Sequence, residues 1–190
     1  MTDAEVLKIF AETGALLTGH FELRSKLHSD RYFQCANVLR YPRIAAKLCE
    51  AVVEKMKKGT KLGKIDAVIS PAIGGILVGH EVARALDTKC VFAEKQDEKL
   101  VMRRFAIKPG ERYIVAEDVI TRGGRVQETI DLVTKAGATV VAVAVLVDRS
   151  AGTAHFDYPT YSLIRMSATV WEPKDCPLCK AGGKAVHPGS

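Results

Sequence analysis

The chain has 190 residues, of which 47% are hydrophobic and 26% charged, the profile of one folded domain with its own core. This composition excludes a disordered chain, a collagen-like repeat and a disulfide-dense miniprotein. Lys and Arg (28) exceed Asp and Glu (22) to give a net charge of +6. Such an excess suits nucleic acid, a membrane surface or a small phosphorylated ligand equally and selects none of them.

No apolar run approaches the ~18 residues of a membrane span. The start, Met1-Thr2-Asp3-Ala4-Glu5, has early acids and no apolar segment of the kind a secretory leader carries. Cys35, Cys49, Cys90, Cys176 and Cys179 make an odd set without framework spacing. The expectation is a reduced, cytoplasmic protein that meets no membrane.

In chain order, residues 3–13 read as a short helix. Pro42 suits the first position of the next, in which Ile44, Leu48, Val52 and Met56 make one buried stripe ending near Lys58. Gly59 and Gly63 punctuate the chain, and a repeating pattern of apolar run, glycine-bearing turn and helix follows. Residues 65–69 predict a strand, 70–75 a turn and 76–86 a helix. Residues 89–93 predict a strand, followed by a charged stretch, 94–104, with the composition of a solvated hairpin. Residues 112–116 predict a strand, 117–124 a loop, and 125–136 a helix stopped by Gly137. The β-branched run 139–147 reads as a buried strand. This alternation predicts an α/β fold, a parallel sheet flanked by helices. One domain over 1–190 is expected, its core over about 42–150. A small hood is expected from about 14–41 with 158–166, and a loosely packed tail over 171–190.

Ligands of open α/β sheets bind beyond the carboxyl ends of the strands, and three segments leave strands there. The most informative is Glu117-Asp118-Val119-Ile120-Thr121-Arg122-Gly123-Gly124-Arg125. Its glycines let backbone N–H groups approach a ligand, and the helix that follows adds the positive end of its dipole, together a phosphate cradle. Carboxylates do not bind phosphate, so Glu117 and Asp118 serve sugar hydroxyls or a divalent cation nearby. The segment reads as a site for a phosphorylated sugar. It is neither a Walker A loop nor a dinucleotide fingerprint.

It resembles the phosphoribosyl-pyrophosphate motif of type I phosphoribosyltransferases. The resemblance implies that Glu117 and Asp118 hold ribose hydroxyls while the stretch from Thr121 to Arg125 wraps the 5′-phosphate, with Arg125 at a place often taken by Ser or Thr. It implies that Ser70-Pro71-Ala72-Ile73-Gly74-Gly75 is the loop contacting pyrophosphate through Ala72 and Ile73, with Gly74 near a position where family members often carry lysine. It also implies that 94–104 is a mobile loop bringing Lys95, with Arg103 and Arg104 as helpers, over the pyrophosphate, often in a neighbouring subunit.

The run from Gly19 to Cys35 resembles the hood signature of orotate phosphoribosyltransferases, as does Val147-Asp148-Arg149-Ser150. Orotate carries a carboxylate, for which a guanidinium is the natural selector. Arg149 is the candidate, with Thr121 near the base, Arg24 near orotate or its phosphate, and Tyr32 and Phe33 as a wall. Taken alone, Arg149 reads as an ion-pair partner of Asp148 or another acid. The resemblance implies magnesium carried on the diphosphate without direct protein ligands, and a homodimer. A purine phosphoribosyltransferase is the alternative enzyme, though it lacks a reason for the hood signature and Arg149. A regulator binding nucleic acid is the other alternative, and the ~17 residues before the hood are too few for a helix-turn-helix.

Cys176-Pro177-Leu178-Cys179 has zinc-knuckle spacing but supplies two ligands where a closed site wants four. His187 or a partner chain is the obvious further donor, and the sequence reading sets zinc aside.

Overall fold

The computed structural model describes residues 1–23, 25–166 and 169–188. Helix α1 (Asp3–Glu12) starts in a capping box, Glu5 N–H donating to Thr2 Oγ1 and Thr2 N–H to Glu5 Oε2. Strands β1 (Leu16–Glu22) and β2 (His28–Phe33) form an antiparallel hairpin, and a one-turn helix, α2 (Ala36–Leu39), leads into α3 (Pro42–Gly59). Pro42 opens α3, and the predicted stripe is buried through Leu48, Val52 and Met56. Then come β3 (Ala67–Pro71), α4 (Gly74–Leu86), β4 (Lys89–Gln96), β5 (Lys99–Val101), β6 (Arg112–Ile120), α5 (Gly124–Lys135) and β7 (Thr139–Asp148). The chain ends in β8 (Thr160–Arg165), β9 (Val170–Trp171) and a short turn of helix, α6 (Pro177–Lys180).

The main sheet has the order β5-β4-β3-β6-β7-β8, all neighbours parallel except the β4–β5 hairpin. Alternation along each strand splits the core in two. Val68, Ile114, Ala116, Ala142, Ala144 and Leu146 face α1, α3 and α4, while Ala67, Ile69, Tyr113, Val115, Val143 and Val145 face α5. Both faces are covered, as the continuous apolar runs predict.

The structure corrects the expectations in three places. Residues 158–166, expected in the hood, supply β8 to the main sheet, because β7 is buried on both faces and needs a backbone partner on its outer edge as well as on β6. The third strand of the small sheet is instead β9, paired with β2. Second, Glu117 and Asp118 lie on β6, which runs past residue 116 in ladder with β7. Third, the tail is tied down: Cys176 is fully buried, Val186 N–H donates to the His20 carbonyl, and Glu22 N–H donates to the Val186 carbonyl.

Candidate active site

The carboxyl ends of β3, β6 and β7 converge under the hood. On β6, Glu117 is 7% exposed, with Asp118 half-buried beside it. Their carboxylates accept from backbone, Glu117 Oε1 from Asp118 N–H at 3.0 Å and Asp118 Oδ1 from Val119 N–H at 2.8 Å. No ion pair neutralises either acid among the described residues. Burial, then the neighbouring Asp118 charge, pushes Glu117 well above the usual carboxylate range, and burial raises Asp118 as well. Two desolvated carboxylates without a cation are acceptors held ready for hydroxyl donors.

The glycines after β3 make room for them. A Cβ on Gly75 would stand 2.9 Å from Glu117 Oε1, and one on Gly74 2.9 Å from Asp118 Oδ2. Any side chain at residue 74 would crowd the Asp118 carboxylate. Just before them, Ala72 N–H donates to the Ala93 carbonyl, and Ile73 projects with 85% exposure.

Beyond β6, Thr121, Arg122 and Gly124 are exposed and Gly123 is buried at φ +81°. A Cβ on Gly123 would meet Phe156 at 2.9 Å, whereas one on Gly124 meets nothing within 4 Å. Gly123 is thus demanded by both backbone and packing, and the start of α5 stands open beside it. Val119 and Ile120 continue the strand, with the Ile120 side chain in the core. Arg125 turns elsewhere, donating from Nη1 to Glu128 Oε2 at 2.8 Å and to the Glu98 carbonyl at 3.3 Å.

Arg149 leaves the end of β7 with its N–H on the Ile120 carbonyl at 2.8 Å, next to Thr121. Its guanidinium lies 5.4 Å from the centre of the Phe33 ring, and Nε is buried without a hydrogen-bond partner. The expected alternative pairing with Asp148 does not form. Asp148 Oδ1 accepts from Ser150 N–H and Oγ, and Oδ2 faces Arg165. Burial pulls the Arg149 pKa below its usual value. A half-buried cation whose buried Nε lacks an acceptor calls for an anion. From the hood, Phe33 is buried and Tyr32 half-buried, and Cys35 Sγ approaches the Asp118 carbonyl at 3.9 Å. Arg24 lies outside the described residues.

The charged stretch is a hairpin, with Asp97 and Glu98 at φ +47° and +65° forming its turn. Lys95 Nζ sits 2.7 Å from Glu98 Oε1, Arg104 pairs with Glu94 at 3.1 Å, and Arg103 is exposed. Arg125, reaching the Glu98 carbonyl, joins this hairpin to α5. The structure thus brings together Glu117, Asp118, Thr121 and Arg149, and holds Lys95 and Arg104 on local acids.

Sequence reasoning missed that Gly74 and Gly75 are shaped by the acids, and that Phe156 backs the loop. Neither has a local signal, since both are contacts between distant segments.

Comparison with known proteins gives a consistent result. The phosphoribosyl transferase domain family matches residues 35–179. The orotate phosphoribosyltransferase of Heliobacterium modesticaldum is 47% identical over 191 residues, covering 100% of this chain and 99% of the relative. That of Carboxydothermus hydrogenoformans is 47% identical over 189 residues, covering 98% and 97%. Among solved structures, orotate phosphoribosyltransferase from Aeropyrum pernix superposes with a TM-score of 0.73 at 24% identity, covering 85% of this chain and 93% of that one. Adenine phosphoribosyltransferase from Rhodothermus marinus gives 0.67 at 22% identity, covering 86% and 100%. The fold is common to enzymes named for different bases, so the fold alone does not choose the base.

Proposed function

The chain belongs to the phosphoribosyl transferase family and, within it, to the orotate phosphoribosyltransferases, and from that membership we propose how its own residues carry the reaction. The enzyme transfers phosphoribosyl from phosphoribosyl pyrophosphate to orotate, forming orotidine 5′-monophosphate and diphosphate in pyrimidine biosynthesis. The observation that carries the residue assignment is the half-buried guanidinium of Arg149 against Phe33, its buried Nε without a partner. It receives the orotate carboxylate, with Tyr32, Phe33, Thr121 and Arg24 completing the base site.

Glu117 and Asp118 accept from the ribose hydroxyls, and the exposed N–H groups of 121–124 with the α5 dipole take the 5′-phosphate. Arg122 adds positive charge at its rim, while Arg125 ties α5 to the hairpin through Glu128 and the Glu98 carbonyl. Ala72 and Ile73 border the diphosphate. The C1–O bond to diphosphate breaks as the C1–N1 bond to orotate forms and the N1 proton is released. The protein contributes position and charge rather than a nucleophile. Lys95, with Arg103 and Arg104, leaves its local acid to meet the departing diphosphate. Closure of the hairpin excludes water.

Magnesium fits this setting, since the free side-chain donors at the sugar site are carboxylate oxygens, the ligands hard cations prefer. Carried on the diphosphate, it would supply charge neutralisation for the leaving group. A homodimer completes the proposal, with the hairpin serving the neighbouring site, in a cytoplasmic setting that suits five free cysteines.

The deciding experiment is ultraviolet loss of orotate on mixing the chain with phosphoribosyl pyrophosphate and magnesium, with adenine, hypoxanthine and uracil in parallel. Consumption of orotate alone is expected. Consumption of adenine or hypoxanthine in its place would overturn the base site.

Glu117→Gln separates binding from stability. Its amide loses the charge but can donate to Asp118, so phosphoribosyl pyrophosphate affinity is expected to fall roughly tenfold. Because folding raises the Glu117 pKa above the usual 4.5, the wild type gains stability from this group at low pH and loses it as pH rises. The variant is therefore expected to melt higher, by roughly 2–4 °C at pH 8, with the gap closing toward pH 4. Thermal scans across that range check the sign.

A further inference from the structure

We propose that His20, His28, Cys176 and Cys179 form a structural zinc site that clamps the C-terminal tail to the hood. Their ligand atoms lie within 4.8 Å of one another. His20 Nε2 is 2.9 Å from His28 Nδ1 and lies 3.4 Å and 3.6 Å from Cys176 Sγ and Cys179 Sγ. Cys179 Sγ is 3.3 Å from His28 Nδ1. Zinc held at about 2.3 Å by sulfur and 2.0–2.1 Å by nitrogen defines a tetrahedron with edges of about 3.6 Å for N–S and 3.3 Å for N–N. Four of the six pairs sit near those edges, the His–His one short of it, and the other two lie within 4.8 Å.

The chain builds this arrangement from three separate places. The register of β1 against β2 shifts between Thr18 and Phe21, and that irregularity presents His20 to His28 across the hairpin. Cys176 and Cys179 stand at either end of the α6 turn, where Lys180 N–H donates to the Cys176 carbonyl. Two thiolates and two neutral imidazoles balance the charge of a divalent cation, which makes the closed set suited to burial. His28 and Cys176 are buried, with 7% and 0% exposure.

A purely hydrogen-bonded cluster explains less. Thiols are weak donors, and the two facing imidazole nitrogens share a single proton. The tail has little else to hold it. Among the described residues of 172–188, Cys176 alone is buried, and a segment with so small a core needs a staple. His187, the donor that sequence alone suggests, sits outside the cluster with Nδ1 at 3.0 Å from the Glu22 carbonyl. The clamp matters to the active site through β2, which carries His28 at one end and Phe33 at the other.

The test uses the full chain, expressed with zinc available and purified without chelator. About one zinc per chain is expected by elemental analysis, and cobalt(II) in its place is expected to show the visible bands of tetrahedral thiolate coordination. Cys176→Ser and Cys179→Ser should lose stoichiometric metal, while His187→Ala keeps it. A zinc-selective chelator should lower the melting temperature by roughly 5 °C or more. If the cysteine variants do not fold, the cobalt spectrum of the unaltered chain decides. A folded, active chain that holds less than about a tenth of an equivalent after zinc reconstitution overturns the proposal. So does His187→Ala releasing metal as completely as Cys179→Ser. Orotate turnover is read separately, so a failed metal test leaves the enzymatic reading untouched.

Discussion

Arg149→Ala is expected to lower kcat/KM for orotate roughly 10²–10³-fold, while phosphoribosyl pyrophosphate binding stays within a few-fold. The asymmetry follows from position. The guanidinium lies against Phe33 of the hood, whereas the phosphate contacts proposed for the neighbouring 121–124 loop are backbone N–H groups that the substitution leaves in place. Removing it should not unfold the chain, because among the described residues it makes no ion pair and burial opposes its charge. Arg149→Lys is not expected to rescue, since a point charge does not replace a planar donor pair against a carboxylate. Steady-state kinetics with each substrate varied in turn, beside a thermal scan, checks both halves. Orotate kcat/KM within threefold of wild type would discard Arg149 as the selector.

Legibility of the sequence followed the range of the forces involved. The core was readable because burial on both faces leaves continuous apolar runs such as Val140 to Val147, and because Gly123-Gly124 with the two acids marks a strand end meeting a helix start. Strand β8 was not readable as part of the main sheet. Thr160 to Arg165 has no distinguishing local pattern, and only the unpaired edge of β7 recruits it. The tail shows the same limit. Cys176 and Cys179 are visible as half a site, but their complement is two histidines nearly the length of the chain away, brought near by a shift in hairpin register. The pairing of Arg149 was undecidable for a like reason. Asp148 is its neighbour in sequence, yet Ser150 and Arg165 claim that carboxylate. What stays hidden in such a chain is the choice among partners that are equally good chemically and differ only in place.

Lys95→Ala is expected to cut kcat by roughly 10²–10³-fold with the melting temperature unchanged. Lys95 is 47% exposed and its ion pair with Glu98 is a surface contact, worth about 1 kcal/mol at most. In the proposed reaction it brings charge to the leaving diphosphate, so the loss should appear in kcat more than in orotate KM. The same variant tests the subunit arrangement. In a mixture of Lys95→Ala and Arg149→Ala chains, each heterodimer of the proposed dimer has one site whose own Arg149 is intact and whose neighbour carries an intact Lys95. If the hairpin serves the partner's site, random exchange of subunits restores roughly a quarter of wild-type activity. If Lys95 serves its own site, every site in the mixture lacks one of the two residues and nothing is restored. Unchanged turnover in Lys95→Ala alone would remove the hairpin from the reaction, and loss without complementation would place it within its own subunit.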